Sequence, residues 1–254
     1  MTPLERINII RKWILEYVES MDKPANCLVV GISGGVDSAV VSTICAMTGM
    51  KTLVSSMPIS QRPEHHDLSI KHKNWITTKY SNCYGVEIDL THTFLSFENQ
   101  MVDMKFKDEM GLANSRARMR MMCLYQLSAS TSGIVVGTGN KIEDFGVGFY
   151  TKYGDGGVDI SPIADCTKTE VWAMAKELGI LEEIQIAEPT DGLWSDGRND
   201  TDQLGMSYSQ IEYLMKNPSE PDYQKYLSIR KKNLHKMKSI PVCKFDGKTN
   251  LANN

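Results

Sequence analysis

Cys27-Leu28-Val29-Val30-Gly31-Ile32-Ser33-Gly34-Gly35-Val36-Asp37-Ser38 is the stretch that decides the fold. Its first six residues are an apolar run of strand length. Ala39-Val40-Val41-Ser42-Thr43-Ile44-Cys45-Ala46-Met47 follows and reads as a helix. Strand, tight glycine turn and helix start together make an anion cradle. The glycines let backbone approach a ligand without a Cβ clash, and the free N–H groups of the helix start favour negative charge. Ser33 and Ser38 add hydroxyl donors. Asp37 would repel a bound phosphate unless a cation lay between them, which points to Mg²⁺. The lysine-ended phosphate loop is excluded, because no lysine occurs between Lys23 and Lys51.

Outward from this turn, the chain alternates between strand and helix signals. Thr2-Pro3-Leu4-Glu5 is a capping box with proline at the first helical position, and Leu4, Ile7, Ile10, Ile14 and Val18 follow at helical spacing. Strands are expected at 52–57, 84–90 and 133–137. Helices are expected at about 64–80, 91–102, 115–128, 167–178, 207–217 and 221–238. The helix at 167 opens with a second capping box, Thr167-Lys168-Thr169-Glu170. Residues 141–165 and 188–205 read as irregular, and the last residues as a frayed tail. The pattern predicts an α/β fold with a doubly wound, Rossmann-like parallel sheet flanked by helices. Ligands in such sheets sit at the carboxyl ends of strands, where 31–38 and 137–140 both fall. One domain is expected over 1–254: an N-terminal helix to 26, a nucleotide-binding core over 27–180, and C-terminal loops and helices over 181–254.

Totals narrow the class. A net charge of −3 argues against a nucleic-acid surface. No apolar run reaches the roughly 20 residues that span a bilayer, and the N-terminus has no signal-peptide core. Six scattered cysteines contain no C-x-x-C pair, which argues for reduced thiols and a cytoplasmic setting.

The 31–38 turn resembles the pyrophosphate loop of the ATP pyrophosphatase families, which share an adenine-nucleotide alpha-hydrolase-like fold. A second constellation narrows this. Gly137-Thr138-Gly139-Asn140-Lys141-Ile142-Glu143 and Thr151-Lys152-Tyr153-Gly154-Asp155-Gly156-Gly157-Val158-Asp159 together resemble the NAD synthetase family signature. Ala117-Arg118-Met119-Arg120-Met121-Met122, Pro162-Ile163, Glu188-Pro189-Thr190, Leu204-Gly205-Met206-Ser207-Tyr208 and His235-Lys236 agree with it. The resemblance runs over about 5–240.

It implies ATP-dependent amidation of deamido-NAD by ammonia, through an acyl adenylate, releasing AMP and pyrophosphate. Gly31, Ile32, Ser33, Gly34, Gly35, Val36, Asp37 and Ser38 would cradle ATP, with Thr138, Lys168 and Thr190 as further contacts. Asp37 and Glu143 would hold Mg²⁺. Arg118, Lys152, Asp159, His235 and Lys236 would contact deamido-NAD, and Asp155 and Lys168 would serve the chemistry. The run from Glu143 to Lys152 is one residue longer than the family's common pattern, which leaves Asp144 as a rival metal ligand. A homodimer is implied, with the dinucleotide bound across its interface. Only 26 residues precede the first strand, too few for an amidase domain, so free ammonia is the expected nitrogen donor. The alternatives are related adenylating ligases that act on nicotinate mononucleotide or on tRNA.

By their residue types alone, Arg116, Arg120, His65, His66 and His72 read as surface groups, and Trp13 and Trp172 as core. Charged residues over 141–159 lack an obvious core partner in the sequence. That segment is therefore expected to be a mobile lid that orders when both substrates bind.

Overall fold

The computed structural model describes residues 1–60, 63–190, 192–194, 199–243 and 245. Asp191, the turn Asp196-Gly197-Arg198, the side chain of His65 and most of the expected frayed tail lie outside the described residues.

Four parallel strands among the described residues form the sheet, in the order β3 (Cys83–Glu87), β2 (Thr52–Ser56), β1 (Cys27–Gly31), β4 (Gly133–Val135). β1 pairs with β2 from Leu28↔Thr52 to Gly31↔Ser55, and with β4 from Cys27↔Gly133 to Val29↔Val135. Alternation along β1 splits its side chains between two cores. Leu28 and Val30 enter one, with α1 (Pro3–Glu19), α2 (Val36–Met47) and α6 (Lys168–Leu178). Cys27 and Val29 enter the other, with Phe94 of α4 (Thr91–Asp103) and Leu112, Met121 and Leu124 of α5 (Glu109–Thr131). α3 (Pro63–Lys79) packs Ile76 on the α2 side, against Ala46 and Val54. α2 is buried on nearly every side, as its almost wholly apolar sequence requires.

The chain passes from β1 outward to β2 and β3, then returns through α4 and α5 to place β4 on the other side of β1. Strand order therefore reverses between β1 and β4, and a crevice opens at their carboxyl ends. A parallel bridge between Val136 and Ile160 extends this edge.

Beyond β4, a π-helix at Ile142–Val147 leads through a turn-rich stretch to α6. It is followed by α7 (Glu182–Ile186), α8 (Asp200–Leu204), α9 (Tyr208–Lys216) and α10 (Tyr223–Met237). The π-helix, α9 and α10 share a small separate core of Ile142, Val147, Leu204, Ile211, Leu214 and Tyr226.

Several expectations need correcting. α5 begins at Glu109 rather than about 115, because Asp108 caps it through Oδ1, which accepts from Gly111 N at 2.6 Å. Gly111 and Asn114 thus lie inside the helix, carried by the buried Leu112 and Ala113. β3 stops at Glu87 and β4 at Val135. The π-helix, α7 and α8 fall in or beside stretches read as irregular, since helices this short have too few turns to show periodicity. Trp13 is 42% exposed and stacks on Tyr17 with ring centroids 5.9 Å apart. Ile7, Ile10, Ile14 and Val18 already occupy the inner face of α1. Trp172 is half-buried at the margin of the first core. His72 is not a surface group: it shares the inner face of α3 with Ser69 and Ile76, stacks on Trp75, and its Nε2 lies 2.8 Å from Ser42 Oγ. His66 is part-buried beside Glu87, at 3.2 Å.

Candidate active site

The crevice at the switch point is a cavity of about 770 Å³. Its floor is the turn after β1. Gly35 precedes α2 in extended conformation with no side-chain cap, so the first N–H groups of α2 remain open to an anion. Gly34 takes φ 90°, which the tight turn needs and an L side chain would resist. The serines turn inward and shape the loop. Ser38 Oγ donates to Gly35 O at 2.9 Å, and Ser33 Oγ accepts from Gly35 N at 3.1 Å.

Three elements meet above this floor. Asp37 comes from the first turn of α2, Glu143 from the π-helix and Lys168 from the first turn of α6. Lys168 Nζ pairs with Asp37 Oδ2 and stands 3.3 Å from Glu143 Oε1. The Lys168 side chain is only 3% exposed, so its place in a capping box does not make it a solvated surface group. Burial alone would lower its pKa, but the Asp37 and Glu143 carboxylates overcome that and hold it above the ordinary lysine value. Glu143 is raised, chiefly by burial, against the pull of Lys168.

The sequence reading missed the residues that hold this trio. Asn140 is fully buried. Its Nδ2 donates to Asp37 Oδ1 at 3.0 Å, and its Oδ1 accepts from the N–H groups of Ile142 and Glu143 at 3.0 and 3.2 Å. One amide thus ties the phosphate loop to the π-helix. Its position just past a strand's carboxyl end was the available signal. The Tyr208 hydroxyl lies 2.7 Å from Glu143 Oε1 and 2.8 Å from Asp200 Oδ2, and its ring lies under the Lys168 ammonium at 4.7 Å.

The cavity also collects Thr138, Thr190, Arg118, Lys152, Asp155, His235 and Lys236. Arg118 Nε donates to Lys152 O at 3.2 Å, and Lys236 Nζ to Tyr150 O at 2.7 Å. Gly34 and Asp159 are not among the lining residues. Asp159 instead accepts from Val135 N at 2.7 Å and from the Tyr125 hydroxyl at 3.0 Å, bracing the sheet edge. Arg116 and Arg120, read as surface charges, turn inward. Arg116 lies over the Phe94 ring at 4.3 Å, while Arg120 lines the cavity and donates to Met57 O at 3.0 Å. They escape the sequence because the apolar positions of α5 do not mark one clear stripe.

The 141–159 segment differs from the expected unpartnered lid. Several of its charged groups are engaged: Lys141 with Asp165 at 2.8 Å, Glu143 with Lys168, and Asp155 with Thr151 N at 3.0 Å. Partners distant in sequence supply what the local sequence lacks. Asp144 faces the cavity, raised to about 7 by burial and by the neighbouring Glu143 and Asp155 carboxylates.

Among the described residues, no group of three or more His, Cys, Asp or Glu side chains is arranged to hold a metal by itself. Two carboxylates that converge on one cation do fit Mg²⁺, which typically takes one or two carboxylates and completes its shell with water and substrate phosphates.

Known proteins resemble this chain over most of its length. The chain matches the family model described as NAD synthase over residues 6–250. It is 35% identical over 240 residues to the NH(3)-dependent NAD(+) synthetase of Carboxydothermus hydrogenoformans, covering 93% of this chain and 96% of that protein. The enzyme of the same name from Pyrococcus horikoshii is 38% identical over 205 residues, covering 80% of this chain and 75% of that one. Among solved structures, NMN synthetase from Francisella tularensis superposes with a TM-score of 0.86 at 27% identity, covering 96% of this chain and all of that one. NH3-dependent NAD synthetase from Campylobacter jejuni shares the fold, with a TM-score of 0.75 at 23% identity and 96% of this chain covered. Matched by the family model over nearly its whole length and 35% identical to a relative across 93% of the chain, the protein belongs to the NAD synthase family.

Proposed function

We propose that this protein is a carbon–nitrogen ligase that amidates deamido-NAD with ammonia, using ATP and releasing AMP and pyrophosphate. The observation that carries the reading is the convergence of Asp37, Glu143 and Lys168 at the open N-terminus of α2. A carboxylate is a poor acyl donor, and transfer of AMP to it supplies the leaving group that ammonia displaces. The open N–H groups of α2 bind the phosphates. Asp37 and Glu143 would hold Mg²⁺, which supplies charge neutralisation and orientation when bound. Lys168 stands within reach of the same oxygens and would assist the departing pyrophosphate. Arg118, Lys152, His235 and Lys236 line the cavity and would fix the acyl substrate's carboxylate in line with the α-phosphate. Asp155 also lines it and would meet incoming ammonia.

Exposed apolar side chains of α4 and α5, Leu95, Val102 and Met122, support a homodimer. Six free cysteines support a reducing, cytoplasmic setting. Among the described residues no helix is long and apolar enough to cross a membrane.

A second reading follows from the similarity to NMN synthetase: amidation of nicotinate mononucleotide at the same site. The curated relatives favour the dinucleotide. Pyrophosphate release should require ATP, Mg²⁺ and deamido-NAD, with amide product forming only when ammonia is added. Release with the mononucleotide at higher kcat/KM would exchange the two readings. Release with neither would remove both.

A further inference from the structure

The π-helix that carries Glu143 does not support itself. Wide i→i+5 turns are rare and occur mostly at functional sites, and the last carbonyls of any helix lack partners within it. Here those partners come from α10. Arg230 Nη1 donates to Gly146 O at 2.9 Å, and the Tyr226 hydroxyl to the same oxygen at 3.1 Å. Asn233 Nδ2 donates to Val147 O at 3.0 Å. The next residue, Gly148, turns at φ 68°. A Cβ there would lie 2.7 Å from both Asn233 Cβ and Met237 Cε, so α10 runs flush against the turn. Asn140 holds the other end of the π-helix from the sheet side.

A turn wider than α-helical changes the angle between successive side chains. Its winding therefore determines whether the Glu143 carboxylate faces Lys168 and Asp37. We infer that Arg230 and Asn233 are positioning residues for the Glu143 carboxylate, acting through the π-turn that carries it. This rests on the reading of Glu143 as a metal ligand. Arg230 is not among the residues that line the cavity, whereas Asn233 is, so Arg230 tests the positioning role free of direct contact with a bound substrate. Residues that orient a metal ligand from behind it alter metal affinity by about 10–100-fold when replaced.

The test uses the full chain and Mn²⁺ as probe, titrated by electron paramagnetic resonance with the non-hydrolysable α,β-methylene analogue of ATP. Arg230→Gln and Asn233→Ala should each weaken Mn²⁺ binding about tenfold and lower kcat, and in Arg230→Gln, whose side chain does not line the cavity, KM for deamido-NAD should stay within about twofold. Arg230→Lys, which keeps a cationic donor, should recover most of the loss. If Arg230→Gln does not fold, Tyr226→Phe removes one donor to the same carbonyl and should shift Mn²⁺ affinity in the same direction. Variants that melt earlier but bind Mn²⁺ like the parent would make α10 merely structural and overturn the inference. Glu143→Gln separates the two levels. Normal Mn²⁺ binding in Glu143→Gln removes the metal-ligand reading itself. Lost binding there, with normal binding in the α10 variants, removes only the positioning role.

Discussion

The two sides of the active site are built by different means. On the sheet side, Asp37 stands on a turn fixed by the β1–β2 and β1–β4 ladders and by cores on both faces of the sheet. On the C-terminal side, Glu143 stands on a π-helix held by side chains of α9 and α10 reaching its carboxylate and carbonyls over a small core. Lys168 is the point where the two meet, since it pairs with one carboxylate from each. The comparison teaches that the phosphate cradle is a property of the backbone, whereas the opposing carboxylate depends on a handful of side-chain hydrogen bonds.

The most severe test is at the junction. Asp37→Asn should reduce pyrophosphate release by about 10²–10³-fold or more, the usual scale for removing one charge-stabilising group. The ladders should keep the melting temperature close to that of the parent. A turnover within tenfold of the parent would leave the cradle without its proposed metal ligand.

Lys168→Met comes next. It strands two carboxylates beside each other in a buried site, which costs about 3–5 kcal/mol of stability. Added Mg²⁺ should restore part of that loss, more than it stabilises the parent. Chemical denaturation with and without Mg²⁺ reads both numbers, and a loss that Mg²⁺ leaves untouched would separate Lys168 from the metal site.

Within the sheet side, His72 makes stability depend on pH. Burial lowers its pKa from the ordinary 6.5 to about 4. The unfolded chain therefore binds the proton more readily, so the stability is fully present above about pH 6.5 and is lost as pH falls toward 4. The loss amounts to about 3 kcal/mol. Urea unfolding at pH 5 and 7.5 measures the slope, and His72→Phe should flatten it. An unchanged slope in that variant would show that His72 is not the source of the acid sensitivity.

Tyr208→Phe probes the C-terminal side with the smallest possible change. Losing one hydroxyl beside two carboxylates should cost about 1–2 kcal/mol. Turnover should fall by about tenfold, on the scale of other groups that orient a metal ligand. Wild-type turnover would mean that Glu143 keeps its place without help from α9. Least of all, Trp13→Ser on the exposed face of α1 should move stability by no more than about 0.5 kcal/mol. A larger effect would reveal a partner surface on α1.

How much was legible follows the same division. The 27–38 stretch announces strand, turn and helix within a dozen residues, because each step depends on local chemistry: apolar alternation, glycine freedom, open N–H groups. The capping boxes at Thr2 and Thr167 were equally readable, and both form, since each closes within three residues. The burial of Lys168 was not legible, because its partners Asp37 and Glu143 lie 131 and 25 residues away. Arg120, Asn140 and Tyr208 carried no periodic signal, and His72 was misplaced because a helical face shows itself only once its neighbours are packed.

By itself the sequence determined the parallel α/β sheet, the glycine turn at the end of β1, and which residue types could meet an anion and a cation there. These rest on interactions between residues close in the chain. Only the tertiary structure decided that Glu143 would rise on a π-turn, that α10 would supply its missing carbonyl partners, and that Asp159 would brace the sheet edge rather than line the cavity. Each of those outcomes sets a polar group against one 24 to 86 residues away. Such pairings exist only after the cores on both faces have brought the elements together, and no local pattern encodes them.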